Sequence, residues 1–127
     1  MKTFAGIFLI ATVSLIGGAN AQTAITVSLT NYAFTPSTLT LKAGETYRIH
    51  FSNDASKSHD FAAREFFQAS TVAPEDKGKL EKDGDLELDG GQSADITLTP
   101  NHAGTYAVTC THFMHSMLGM TGKIVVQ

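Results

Sequence analysis

Between Ala24 and Val126 the apolar residues recur at every second position in short runs, a period that specifies strands. Ile25, Val27 and Leu29 share one face of the first run, and Leu39 and Leu41 do the same before a turn at Ala43-Gly44. Tyr47, Ile49 and Phe51 alternate with Arg48 and His50, which predicts one buried and one wet face. Further runs cover residues 86–88, 94–98, 105–110 and 123–126. Gly, Asn and Pro punctuate the intervals at Thr35-Pro36-Ser37, Pro100-Asn101 and Ala103-Gly104. Seven or eight short strands in about a hundred residues predict an all-β sandwich. One stretch breaks the rhythm: residues 62–70 are richer in helix formers than in β-branched residues, and Pro74-Glu75-Asp76 reads as the opening of a second helical turn.

The first residues read as an export signal. Met1-Lys2 gives a positive start, residues 4–16 are apolar and uncharged, and Gly17-Gly18-Ala19-Asn20-Ala21 ends in the small-x-small pattern cut by a signal peptidase. The expected division is a signal peptide over 1–21 and one domain over 22–127. The apolar stretch is shorter than the roughly 20 residues a spanning helix needs, so no stable membrane insertion is expected. A lipid-anchored N-terminus would need a cysteine there, and Cys110 is the only one in the chain. Residues 75–89 carry seven acidic residues against three lysines, a surplus expected to form a solvated loop; nothing resembles a nucleic-acid surface.

A lone cysteine in an oxidising compartment is a liability unless something occupies it. Here Cys110 is followed at equal steps of five by His115 and Met120. A thiolate and an imidazole, with a thioether at longer range, are ligands that select copper, and the second imidazole such a site needs is available at His59 in Ser58-His59-Asp60-Phe61. Cys110 closes one strand and the ten residues after it lead into the last, so a single loop delivers Cys110, His115 and Met120. His59 must arrive from a separate strand. Such a site forms only with the fold, so one copper ion bound there adds to folding stability. His112 is a competing ligand, but only one residue separates it from Cys110, and alternation is expected to aim its side chain elsewhere. Met114 and Met117 read as an apolar collar for a partner, Glu65 as a residue outside the site, and His50 and His102 as surface residues.

These residues resemble the cupredoxin family of small blue-copper proteins. The resemblance spans the domain in length and strand pattern and is carried by two motifs: residues 104–110 through His115 and Met120 into Gly122-Lys123-Ile124-Val125-Val126, and Ser58-His59-Asp60-Phe61. It implies a cupredoxin-like Greek-key β-sandwich with a short helical excursion. It also implies His59, Cys110 and His115 as equatorial copper ligands, with Met120 as the weak axial one. Two departures stand out. Many relatives place an asparagine after the upstream histidine where this chain has Asp60, and the ligand loop holds His112, Met114 and Met117 where turn residues are usual.

The expected function is that of an exported, monomeric one-electron carrier in the periplasm, working with redox partner proteins. The methionines and histidines of the loop keep a second reading open: a copper tolerance, storage or delivery protein that works with a copper acceptor. A hydrolase using Cys110 as nucleophile lacks an orienting carboxylate, and paired histidine motifs for a multicopper oxidase are missing, so no enzymatic activity is expected.

Overall fold

The alternating runs become two five-stranded sheets packed face to face. The computed structural model describes residues 22–127, so the expected signal peptide at 1–21 lies outside the described residues. In chain order the strands are β1 (Thr23–Thr30), β2 (Ala33–Thr35), β3 (Thr38–Leu41), β4 (Tyr47–Asn53), β5 (His59–Ala62), β6 (Ser70–Val72), β7 (Asp85–Leu88), β8 (Ser93–Pro100), β9 (Gly104–Thr109) and β10 (Thr121–Val126). One helix, α1 (Arg64–Gln68), lies between β5 and β6, and a 3-10 turn covers Lys77–Lys79. The sheets run β2-β1-β4-β8-β6 and β3-β10-β9-β5-β7.

Ten strands replace the expected seven or eight. Two of the additions, β2 and β6, are three-residue segments at sheet edges, too short to show a period of two. The helical excursion is confirmed but shorter than its composition suggested. Ala62 pairs with both Asp85 and Thr109, and Ser70 pairs with Pro100, so sheet hydrogen bonding claims both ends of the stretch and leaves five residues to α1. The helix survives because Phe66 and Phe67 are buried beneath it.

The core forms where the inward faces meet. Val27 and Leu29 of β1, Ile49 and Phe51 of β4, and Ile96 and Leu98 of β8 face Phe61, Leu86, Leu88, Val108, Ile124 and Val126 of the second sheet. Each such side chain contributes about 1.5–3 kcal/mol when it leaves water. Phe61 touches Phe34, Phe51 and Phe67, with ring centroids 5.4, 4.8 and 6.3 Å away, and so joins both sheets to the excursion. Gly122 lets β10 lie against β3, since a Cβ there would meet the Ser37 carbonyl oxygen at 2.6 Å.

The acidic stretch behaves as two parts. Glu81, Lys82 and Asp83 are exposed as expected, whereas Asp76 is buried, accepts the Thr97 backbone N–H at 2.8 Å and pairs with Lys79 at 2.7 Å. No helix among the described residues is long and apolar enough to cross a membrane.

Candidate metal centre

The chain brings three of the four expected ligand residues to one point. His59 opens β5, Cys110 follows the last residue of β9, and His115 sits in the turn between β9 and β10. His59 Nδ1 and His115 Nδ1 are 3.1 Å apart, and Cys110 Sγ lies 3.9 Å from the first and 3.5 Å from the second. The three donor atoms lie within 4.8 Å of one another. His59 and Cys110 are buried, and His115 is partly covered. Met120 is fully buried; its backbone N–H donates to the His115 carbonyl and its own carbonyl accepts the Cys110 N–H, at 3.0 and 3.1 Å.

The local sequence explains this convergence. Asn53, buried at the end of β4, donates through Nδ2 to the Lys57 and Leu88 carbonyls and accepts the Ala55 N–H, so one amide shapes the loop that delivers His59. After Cys110 the chain coils into a compact turn, in which His115 N–H donates to His112, Leu118 N–H to Met114 and His115, and Gly119 N–H to Ser116. Gly119 closes the turn at φ 100°, a conformation natural to glycine. Met114 adopts φ 64°, uncommon for a residue with a Cβ.

Two groups that the sequence reading missed hold the ligands in place. Asn31 Oδ1 accepts a hydrogen bond from His59 Nε2–H at 2.7 Å, which puts the proton on Nε2 and turns a bare Nδ1 toward Cys110 and His115. The Tyr32 ring packs on His115, with centroids 4.9 Å apart, and meets His59 edge-on at 6.3 Å. Both residues lie in the turn between β1 and β2, outside any motif. Only the Asn-Tyr pair after an alternating run marks the place.

Asp60 fastens the two ligand segments. Its Oδ1 accepts the Thr111 backbone N–H at 2.6 Å and its Oδ2 accepts the Thr111 hydroxyl, so β5 is tied to the residue after Cys110. His112 points away from the donor cluster, as expected, but strand alternation is not the cause: residues two apart share a face of a strand, and the chain has left β9 at Thr109, so the turn carries His112 outward. Its Nε2 meets Glu87 Oε1 at 2.7 Å while its ring stacks on His115 at 5.5 Å. Glu65 is exposed on α1 and lines a hollow with Arg64 and Asp85, away from the three donors. His50 pairs with Asp95 on the other sheet and His102 is exposed.

Burial pushes the Cys110 thiol from 9.0 up to about 11. Burial also lowers His59, with His115 and His112 acting in the same direction. The metal-free fold therefore keeps both groups neutral. Unfolding restores His59 to ordinary proton affinity, so the unfolded chain binds more protons as pH falls below about 6.5 and stability drops. Between pH 9.0 and about 11 the folded thiol keeps a proton that the unfolded one has lost, so stability drops again as pH rises. Urea midpoints of the metal-free protein are expected to be higher at pH 7.5 than at pH 5 or 10.5, and Cys110→Ser to flatten the alkaline limb. An alkaline limb equally steep in that variant would contradict the buried thiol.

Two imidazole nitrogens and a sulfur, converging where a protein interior would otherwise avoid polar groups, fit one ion of a metal that accepts both borderline and soft donors, and copper is such a metal. The fold and this cluster define a β-sandwich domain with a mononuclear copper-type donor set. The cupredoxin-like domain model matches residues 3–126, and the chain belongs to that family. Among solved structures it is similar to the dithionite-reduced auracyanin of Roseiflexus castenholzii, with 21% identity, a TM-score of 0.59, and coverage of 84% of this chain and 98% of that one. It is also similar to auracyanin A, a blue copper protein of Chloroflexus aurantiacus, with 24% identity, a TM-score of 0.59, and coverage of 84% and 100%. A multicopper oxidase from Campylobacter jejuni matches at 12% identity and a TM-score of 0.61, over 84% of this chain but 30% of that one. At these identities the likenesses carry the fold.

Proposed function

We propose that the protein is an exported one-electron carrier that binds a single copper ion through His59, Cys110 and His115, with Met120 as a weaker fourth ligand. The convergence of two Nδ1 atoms and one Sγ at the end of a rigid sandwich carries this reading. Bound there, copper supplies a one-electron Cu(II)/Cu(I) couple. Cys110 gives up its proton to become a ligand, so affinity rises with pH across the neutral range. Asn31 and Asp60 hold their segments whether or not the charge at the site changes, which keeps rearrangement small. His115 is only partly covered and shares its turn with the exposed Phe113, Met114, Met117 and Leu118, which makes it the ligand best placed to meet a docking partner. Similarity to auracyanin A, a blue copper protein, supports the electron-carrier reading, and the charge pattern of residues 1–21 supports export.

Met114 and Met117 favour copper handling as a second reading, since 46% and 80% exposure leaves both thioethers open to solvent. The two readings separate when the copper form is cycled between oxidants and reductants and then challenged with a Cu(I) chelator. Reversible cycling with retained metal supports the carrier, and rapid loss of Cu(I) to the chelator supports delivery.

Two substitutions probe the supports. Asn31→Leu strands the Nε2–H of buried His59 and frees its ring, so copper affinity is expected to fall about 10–100-fold in a competition titration. An unchanged affinity would show that Tyr32 and the sheet orient the ring alone. Asp60→Asn removes a negative charge that favours Cu(II), so the reduction potential is expected to rise by roughly tens of millivolts. An unchanged or lower potential in voltammetry removes that role for Asp60.

A further inference from the structure

Beside the donor cluster, on the outer face of the second sheet, a second set of ligating atoms comes together. Asp60 and Glu87 are direct cross-strand partners of β5 and β7, and both point away from the core. His112, at the start of the ligand loop, reaches the same place. One oxygen of each carboxylate and one nitrogen of His112 lie within 4.8 Å of one another. We infer that Asp60, Glu87 and His112 form a second, outer site for a borderline divalent cation such as zinc(II).

The three residues differ in a way that suits a binding site. Asp60 is buried and fixed, whereas the Glu87 and His112 side chains are 38% and 33% exposed and free to adjust. Thr111 uses one acceptor position on each Asp60 oxygen, and an ionised carboxylate has about four, so each oxygen keeps room for a cation. A tetrahedral zinc ion with ligands at about 2.0–2.2 Å sets neighbouring donors roughly 3.3 Å apart, so the 2.7 Å His112–Glu87 contact must open only slightly. Two carboxylates, one imidazole and water make an acceptable zinc shell. The local charge favours a cation as well. The carboxyl of Asp85, on the same face of β7, is pushed up first by burial and then by the surrounding carboxylates of Asp60, Asp83, Glu87 and Glu81.

The outer site is wired to the inner one. Thr111 lies between Cys110 and His112 in sequence and is held by Asp60, and the His112 ring stacks on His115. A cation there would offset negative charge next to the thiolate and favour the reduced metal. By linkage, reduction would raise zinc affinity by the same factor, tenfold for each shift of about 59 mV. This coupling rests on the copper reading; zinc binding itself does not.

The test is a zinc titration of the copper-loaded protein at neutral pH, followed by calorimetry and by the visible spectrum. The proposal predicts one equivalent of zinc bound without loss of copper, and affinity at least tenfold weaker in Glu87→Gln and in His112→Ala. His50→Ala, on the opposite sheet, should match the wild type. It also predicts tighter zinc binding to the reduced form. Equal affinity in all variants, no binding at millimolar zinc, or release of copper by zinc would each overturn the site. If the protein takes no copper, the functional reading fails on its own, and the binding test continues on metal-free protein. There Glu87→Gln and His112→Ala must each remove one equivalent of zinc relative to wild type, and an unchanged stoichiometry overturns the outer site.

Discussion

Stripping copper from the loaded protein is expected to lower its unfolding free energy by about 4 kcal/mol when the comparison is made at free copper near a thousand times Kd. For a domain of this size that is a fall of roughly 20 °C in melting temperature. The cause lies in where the donors come from. His59 stands at the start of β5, and Cys110 and His115 belong to the connection between β9 and β10, so the complete set exists only while the strands are in place. Residues 110–120 retain partial affinity in the unfolded chain and reduce the difference somewhat. Calorimetric scans with and without copper check this, and His59→Ala should remove most of the increment. A melting temperature indifferent to copper would mean that the ion is held locally by the loop.

Cys110→Ser is expected to abolish the intense thiolate-to-copper absorption and to weaken copper binding more than any other single change. A serine hydroxyl is hard and stays protonated where a thiolate is soft and charged. The fold should survive, because the side chains are nearly equal in size and Cys110 contributes one small buried contact to the core. Exchanging a buried thiol for a hydroxyl costs the metal-free protein about 1–3 kcal/mol. Visible spectra of the copper-treated variant, beside circular dichroism showing an intact sandwich, check both halves. Retention of the band in a folded Cys110→Ser protein would place the chromophore elsewhere.

How much of this was legible in the sequence follows from the length scale of each feature. Alternation in Tyr47–Phe51 or Lys123–Val126 states a strand and its buried face outright. The equal spacing of Cys110, His115 and Met120 placed the inner cluster in one loop, and His59 was assigned a strand of its own, which β5 provides. His112 does turn away from that cluster, but through the coil of the loop rather than through alternation, which would have put it on the Cys110 side. Strands β2 and β6 were hidden because three residues at an edge form in response to a neighbour rather than from their own pattern. Asn31 and Tyr32 were hidden for a related reason. Nothing local marks an amide that bonds a histidine 28 positions later. In the sequence Asp60 stands out only as a departure from the asparagine of many relatives, and its two bonds to Thr111 show it fastening the ligand segments.

The most direct test of the central claim is X-ray absorption at the copper edge of the protein loaded with one equivalent of Cu(II). A nearest shell of one sulfur and two imidazole nitrogens, with the sulfur lost in Cys110→Ser and one nitrogen lost in His59→Ala, is the predicted result. A shell of nitrogen and oxygen alone, unchanged by either substitution, would contradict it.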